Sequence, residues 1–276
     1  MEKGLRQAVL DENDLLKMKT LNQIRATILR LVHKAQVSHV GAALSVVDIL
    51  YMLYFKIANV DRTPDRDIII LSKGHASAAL YSVLYHKHLL SKAALEGYAA
   101  NEGTLPCHID KEKSPYFEIS SGSLGHGLSV GVGMALAKQL SRNKGRVFVI
   151  CGDGEMNEGS IWEAVMFAGS RQLSNLVLIV DQNRLQAFAP NEEIIKQKNL
   201  SQQLQTFGFD VKDIDGHDLA QIEQALTYIP TGKPLAVVAH TIKGKGISFM
   251  ENKLEWHYKS PNDEQLAAAL QELGEK

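Results

Sequence analysis

Two short apolar runs constrain this chain more than any other feature. Arg146 to Cys151 carries Val147-Phe148-Val149-Ile150 and stops at Gly152-Asp153-Gly154. Leu176 to Asp181 carries Val177-Leu178-Ile179-Val180 and leads into Gln182-Asn183. Neither run alternates apolar with polar. A strand that is apolar at every position is covered on both faces, which points to a parallel sheet between two helical layers. In such a sheet, whatever follows the strands gathers at one edge, where ligands bind. Asp153 and Asn183 therefore belong at the carboxyl ends of neighbouring strands. One carboxylate, one amide oxygen and a nearby backbone carbonyl suit a hard cation such as Mg²⁺ or Ca²⁺ that also holds a diphosphate. Glycines and the start of the following helix would let backbone N–H groups approach the phosphates. The competing reading is a tight turn followed by a helix cap.

The rest of the chain repeats the strand–helix alternation. Leu16, Leu21, Ile24, Ile28, Leu31 and Val32 predict a helix over 15–36, capped by Asp11, Asn13 or Asp14. A buried helix is expected over 45–57 with Ser45 as its cap, then a strand over 67–72 entering Lys73-Gly74-His75, and a helix over 76–86. Gly127 to Leu140 reads as a small-residue helix packed closely on the sheet. Helices over 157–171, 218–228 and 263–274 and strands over 208–213 and 234–241 complete the pattern, with long loops at 101–120 and 184–200. The expected fold is α/β, a doubly wound, mostly parallel sheet flanked by helices, in one domain over 1–276.

Composition removes several functional classes. Net charge is −1, so nothing draws the chain to nucleic acid or an anionic membrane. No stretch approaches a membrane span, and Met1 to Arg6 lacks the apolar core of a signal peptide. Cys107 and Cys151 stand in separate contexts, which argues for a reducing, cytoplasmic setting and against a disulfide framework.

Ten histidines are present, and four stand beside small residues near expected strand ends: His39, His75, His108 and His257. Each alone reads as a hydrogen-bonded structural residue; together they make a catalytic cluster only if the fold converges them.

Ordered motifs support that convergence. Ser38-His39, Leu71-Ser72-Lys73-Gly74-His75-Ala76, Ser121-Gly122-Ser123-Leu124-Gly125-His126-Gly127, Gly152-Asp153-Gly154, Asp181-Gln182-Asn183-Arg184-Leu185, Thr241-Ile242-Lys243-Gly244-Lys245-Gly246 and Trp256-His257 resemble the N-terminal half of transketolase, over most of the chain. The resemblance implies the thiamine-diphosphate-binding fold and its diphosphate domain. It implies metal binding by Asp153, Asn183 and the Leu185 carbonyl, with Mg²⁺ as the ion and Ca²⁺ or Mn²⁺ as substitutes. His75, Gly154 and Lys243 would contact the diphosphate; Gly122 and Leu124 would touch the aminopyrimidine; Ser123, Glu155 and His257 complete the cofactor-binding set. His39, His108 and His257, with His75, would surround the sugar hydroxyls and carry protons, His257 and His39 foremost. Glu158 and Glu163 resemble an acidic pair at a dimer contact, or form a solvated first helical turn.

The family's pyrimidine-binding and C-terminal domains have no counterpart here, and no residue can take the part of the pyrimidine-domain glutamate. The expectation is a transketolase-type transferase active only with a partner subunit, in an α2β2 assembly. Together they would move a two-carbon ketol unit from a ketose, or ketose phosphate, to an aldose. The alternatives are a non-catalytic or regulatory thiamine-diphosphate-binding module, or a deoxyxylulose-phosphate synthase-like half. A nucleotide-binding protein is disfavoured, since no Gly-x-Gly-x-x-Gly turn or phosphate loop is present. The chain departs from the family where Val40-Gly41-Ala42 replaces a common Pro, His126 a frequent Gln and Tyr258 a usual Gly. These departures leave the sugars open rather than the reaction class.

Overall fold

A computed structural model describes residues 12–275. Its helices are α1 (Glu12–Ala35), α2 (Val40–Ser45), α3 (Val47–Met52), α4 (Ser77–His86), α5 (Lys92–Glu96), α6 (His126–Leu140), α7 (Gly159–Ser170), α8 (Asn191–Ile194), α9 (Leu200–Thr206), α10 (Leu219–Thr227) and α11 (Asp263–Glu272). Its strands are β1 (Ile68–Leu71), β2 (Val147–Gly152), β3 (Leu176–Gln182), β4 (Asp210–Asp215) and β5 (Leu235–His240). They form one sheet in the order β1-β2-β3-β5-β4, and every pairing is parallel. β5 lies between β3 and β4, so the chain crosses over itself beyond β3 and returns.

The continuous apolar strands are covered on both faces, as expected. Phe148, Ile150, Val177, Ile179 and Val237 face a core built with α1, α3, α4 and α10. Val147, Val149, Cys151, Leu178, Val180 and Val238 face the opposite core, built with α6, α7 and α9. The predicted close approach of the small-residue helix α6 is present. A Cβ on Gly131 would fall 2.4 Å from Val149 Cγ2, and one on Gly127 would fall 2.3 Å from Ser72 Oγ. α11 starts with a capping box in which Asn262 and Gln265 exchange side-chain-to-backbone bonds. No helix among the described residues is long and apolar enough to cross a membrane.

Several expectations need correction. The helix expected over 45–57 is two short helices, α2 and α3, followed by a wide helical turn over Leu53–Ile57. Ser45 is not a cap: it closes α2, fully buried, and its hydroxyl lies 2.6 Å from Asp181 Oδ2. Polar Ser45 and Asp48 serve interior partners, and the apolar run around them does not signal that demand. Asn13 and Asp14 lie inside α1, so neither caps it, while Asp11 and Met1 to Arg6 fall outside the described residues. Leu16 is 64% exposed, although it shares the helical spacing of the buried Ile24 and Ile28. The strand expected over 208–213 runs instead over Asp210–Asp215, an edge strand whose partly exposed residues give a weak pattern. α5, α8 and α9 were not expected; each is seven residues or fewer.

Candidate active site

Because the strands run the same way, their carboxyl ends form one rim. β1 delivers Ser72-Lys73-Gly74-His75, β2 delivers Asp153-Gly154, β3 delivers Asn183, and β5 delivers Thr241-Ile242-Lys243. A cavity of about 480 Å³ opens there. It is lined by His39, His75, His108 and His257, by Gly122 and Leu124, by Asp153, Gly154 and Glu155, and by Asn183, Leu185 and Lys243. Of the site residues expected from sequence, only Ser123 is not among the lining; it is exposed beside Leu124.

The four histidines converge. Ring centroids of His39 lie 4.9 Å from His257, 5.2 Å from His75 and 5.8 Å from His108. His39 takes a left-handed backbone conformation, φ 79°, unusual for a residue with a bulky side chain. Its N–H donates to the His257 carbonyl at 2.8 Å, which ties segments more than two hundred residues apart. Burial, then His108 and Lys243, pushes the His39 imidazole down to about 4. Burial, then Lys243, pushes His257 down to about 3, and burial with Lys73 holds His75 well below the usual imidazole value. These three rings are neutral at physiological pH, able to accept as well as donate hydrogen bonds.

Asp153 and Asn183 stand across the cavity floor. Asp153 Oδ1 accepts from the Gly154 N–H at 2.9 Å and Oδ2 from the Arg184 N–H at 2.5 Å. The carboxylate is 4% exposed, and burial pushes it up to about 6 despite those bonds. A buried carboxylate so raised favours a cation beside it. Asn183, which lines the cavity, accepts at Oδ1 from the Leu185 N–H at 3.1 Å, one of the two bonds that oxygen can accept. One carboxylate, one amide oxygen and one main-chain carbonyl fit a hard cation whose other ligands come from a diphosphate. Among the described residues no group of three His, Cys, Asp or Glu side chains could hold a metal alone. Lys243, almost fully buried, donates Nζ to the carbonyls of Leu185 at 3.1 Å and Gln186 at 2.9 Å. The Leu185 carbonyl thus already meets one cationic group. Burial, then Lys73, pushes the Lys243 ammonium down to about 8.

Glu155 plays a different part from that expected. Its carboxylate is taken up by the Ser72 hydroxyl at 2.5 Å and the N–H groups of Gly125 at 2.9 Å and Gly152 at 3.2 Å. It braces the turns that present Leu124 and Asp153 instead of offering itself to a ligand. Beneath the floor, Lys73 forms a buried ion pair with Asp181, which also accepts from Ser45 and Thr241. Sequence reading quoted Lys73, Asp181 and Thr241 within motifs without giving them a role; the signal available was a charged or polar residue at the end of three separate apolar runs. A larger cavity of about 710 Å³ shares Asn183 and Leu185 with the site and carries Arg184, Asp215 and Lys245, but none of the four histidines. Glu158 and Glu163 are exposed, at the start of α7 and on its outer face.

Fold and cavity together define a parallel-sheet domain whose charged and polar groups gather in one cavity at the strand ends. The chain belongs to the family described as transketolase, thiamine diphosphate binding domain, whose model matches residues 16–276. It is 41% identical over 240 residues to one of the subunits of the apulose-4-phosphate transketolase of Actinobacillus succinogenes, covering 85% of this chain and 87% of that protein. It is 39% identical over 258 residues to the 6-deoxy-6-sulfo-D-fructose transketolase subunit SqwG of a Clostridium species, covering 91% and 94%. The crystal structure of transketolase from Campylobacter jejuni superposes with a TM-score of 0.88 at 28% identity, covering 95% of this chain but 43% of that one. The chain therefore spans less than half of that transketolase and nearly all of the subunit-type relatives.

Proposed function

We propose that this chain is the N-terminal subunit of a split transketolase, which transfers a two-carbon ketol unit from a ketose to an aldose together with a second chain. The carrying observation is that four histidines and an Asp–Asn cation pair share one cavity, in a chain coextensive with proteins named as transketolase subunits. A pyrimidine-binding domain would come from the partner, in keeping with the subunit names of the relatives. Both relatives are named for ketoses bearing an anionic group, a phosphate or a sulfonate. An anionic ketose is therefore the proposed donor class.

The cofactor proposed is thiamine diphosphate, held through Mg²⁺. It supplies, when bound, the electron sink that allows a carbon–carbon bond beside a carbonyl to break and re-form. Asp153, Asn183 and the Leu185 carbonyl would hold the ion, and Lys243 and His75 would face the diphosphate. His257 has its Nδ1 against Lys243 Nζ at 3.0 Å, so its ring proton sits on Nε2. His39, whose ring is neutral, would accept and return a proton from a sugar hydroxyl, while His257, its Nδ1 held by Lys243, would serve as an Nε2–H donor beside it, with His108 completing the ring. Self-association into an α2β2 assembly is proposed through α6 and α7, whose outer faces expose Val130, Met166 and Phe167 beside Glu158 and Glu163. Two free, well-separated cysteines support a cytoplasmic setting.

The test is a ketol-transfer assay on the chain alone, the partner chain alone and both together, with Mg²⁺ and thiamine diphosphate present. Activity is expected only in the mixture. Full activity of the chain alone would overturn the split-enzyme reading; tight cofactor binding without transfer in the mixture would favour a binding module.

A further inference from the structure

Three side chains from distant parts of the chain, Arg25 and Asp48 buried and His217 partly buried, form a line ending one residue before Lys243. Arg25 on α1 donates Nη2 to Oδ2 of Asp48 on α3 at 2.6 Å. The same oxygen lies 2.7 Å from Nδ1 of His217, in the turn between β4 and α10. The other ring nitrogen, Nε2, accepts the backbone N–H of Ile242 at 2.9 Å. An amide N–H can only donate, so Nε2 is the bare nitrogen and Nδ1 carries its proton toward Asp48. The ring is fixed at both ends. The Asp48 side chain is 4% exposed and Arg25 7%, so water competes little for their bond; His217, 11% exposed, also lines the larger cavity. Charge-assisted bonds in such surroundings are strong and directional.

Arg25 also supports the far end of the same turn. A Cβ on Gly246 would fall 2.9 Å from Arg25 Cδ and 3.0 Å from Nε, and Gly246 has φ +94°. The arginine stem therefore lies flat on backbone that no larger residue could form. Between these points Thr241 donates its hydroxyl to Asp181 and its N–H to the Gln182 carbonyl at 3.1 Å. Gly244 donates its N–H to the Gly41 carbonyl at 3.0 Å. The backbone from Thr241 to Gly246 is clamped on every side, and Lys243 is the side chain it sends into the cavity. An ion pair serving the core alone would need no ring nitrogen on the Ile242 N–H.

We propose that Arg25, Asp48 and His217 are positioning residues for Lys243, locking the 241–246 turn so that its ammonium stands where an anionic group is held beside Asp153 and Asn183. The identity of that anion as a diphosphate rests on the function proposed above; the mechanical role of the three residues does not.

The test uses the full chain. His217→Leu removes both bonds at similar size, and His217→Gln keeps an acceptor for the Ile242 N–H. Amide exchange is followed by mass spectrometry on the peptide spanning 241–246, without cofactor. Exchange is expected to rise at least tenfold in His217→Leu and to stay near wild type in His217→Gln. Unchanged exchange in His217→Leu overturns the proposal, whatever the cofactor proves to be. In a second arm, Mg²⁺ and thiamine diphosphate are titrated into the complex with the partner chain. His217→Leu and Lys243→Ala should each weaken binding, and the double variant should bind no more weakly than Lys243→Ala. Fully additive losses would overturn it. Should His217→Leu not fold, Asp48→Asn, which keeps the side-chain shape, serves both arms. Wild-type protein that takes up no thiamine diphosphate, with exchange responding as expected, refutes the ligand assignment and leaves the positioning role supported.

Discussion

Lys243 Nζ lies 3.0 Å from His257 Nδ1. An ammonium has only donors, so the imidazole accepts there and its own proton occupies Nε2. The lysine therefore sets the tautomer of His257, leaving it an N–H donor at Nε2. It also supplies, after burial, the largest depression of that ring's basicity. Replacing Lys243 with Met should raise the His257 pKa from about 3, because a nearby positive charge is removed, while burial still keeps it below the ordinary 6.5. Titration by NMR checks this; an unmoved His257 would show that the contact carries no electrostatic weight. His257→Ala should leave cofactor affinity nearly intact and cut turnover of the complex by roughly 10²–10⁴-fold, the usual range for a positioned acid–base group.

Asp153 titrates against whatever cation it holds. Burial raises its carboxyl from 3.8 to about 6, and a metal needs the ionised form. Cofactor affinity measured with Mg²⁺ should therefore be nearly flat above pH 7 and fall about tenfold per pH unit below about 6. Calorimetry at pH 5 and pH 7.5 decides; equal affinities would remove Asp153 from the metal site. Asp153→Ala should abolish the Mg²⁺ dependence of binding altogether.

The histidine cluster should make the chain acid-sensitive. His39 and His257 have folded values lowered to about 4 and about 3, and His75 is lowered as well, in each case first by burial. A depressed pKa contributes stability above the unfolded value, near 6.5, that is lost as pH falls toward the folded one. Asp153 and Glu155, pushed up by burial, act in the opposite sense: their contribution is present at low pH and lost as pH rises through their folded values. His39→Gln removes one ring from the first group only. Its melting temperature should fall less than that of wild type between pH 6.5 and pH 4. Parallel curves for the two proteins would contradict the lowered value of His39.

Much of this architecture was legible because β2 and β3 are apolar without alternation until they reach Gly152-Asp153-Gly154 and Asp181-Gln182-Asn183, a pattern that a doubly covered parallel strand explains. The observed strands begin and end within two residues of expectation. Convergence of His39, His75, His108 and His257 was not legible from spacing, since it depends on the connections among all five strands; it entered through ordered motifs. α9 escaped notice because it buries only Leu200 and Leu204, one helical repeat that short loops also produce. The line Arg25–Asp48–His217 escaped for a different reason. Its bonds span 23 and 169 residues, and a lone charged residue within an apolar stretch reads as a surface interruption until its partners are seen.

Tyr258 follows His257 and borders the histidine cluster, and its surroundings give it a consequence. Its ring centroid lies 4.8 Å from His257 and 6.4 Å from His39, so it borders the cluster without replacing either ring. Its outer side meets Phe188 at 5.9 Å, and both rings remain largely exposed. The pair stands beside the histidine cluster, outside the cavity lining itself, where a bulky donor would meet it. Removing it should enlarge the donor site without touching the groups that move protons. For Tyr258→Gly, kcat on the natural donor should change little, while KM rises. The kcat/KM ratio of a bulkier ketose to a smaller one should shift toward the bulkier by roughly tenfold, the scale at which apolar pocket contacts discriminate. Steady-state kinetics of the complex with two donors of different length makes the comparison. An unchanged ratio would place the pair outside the path of the sugar.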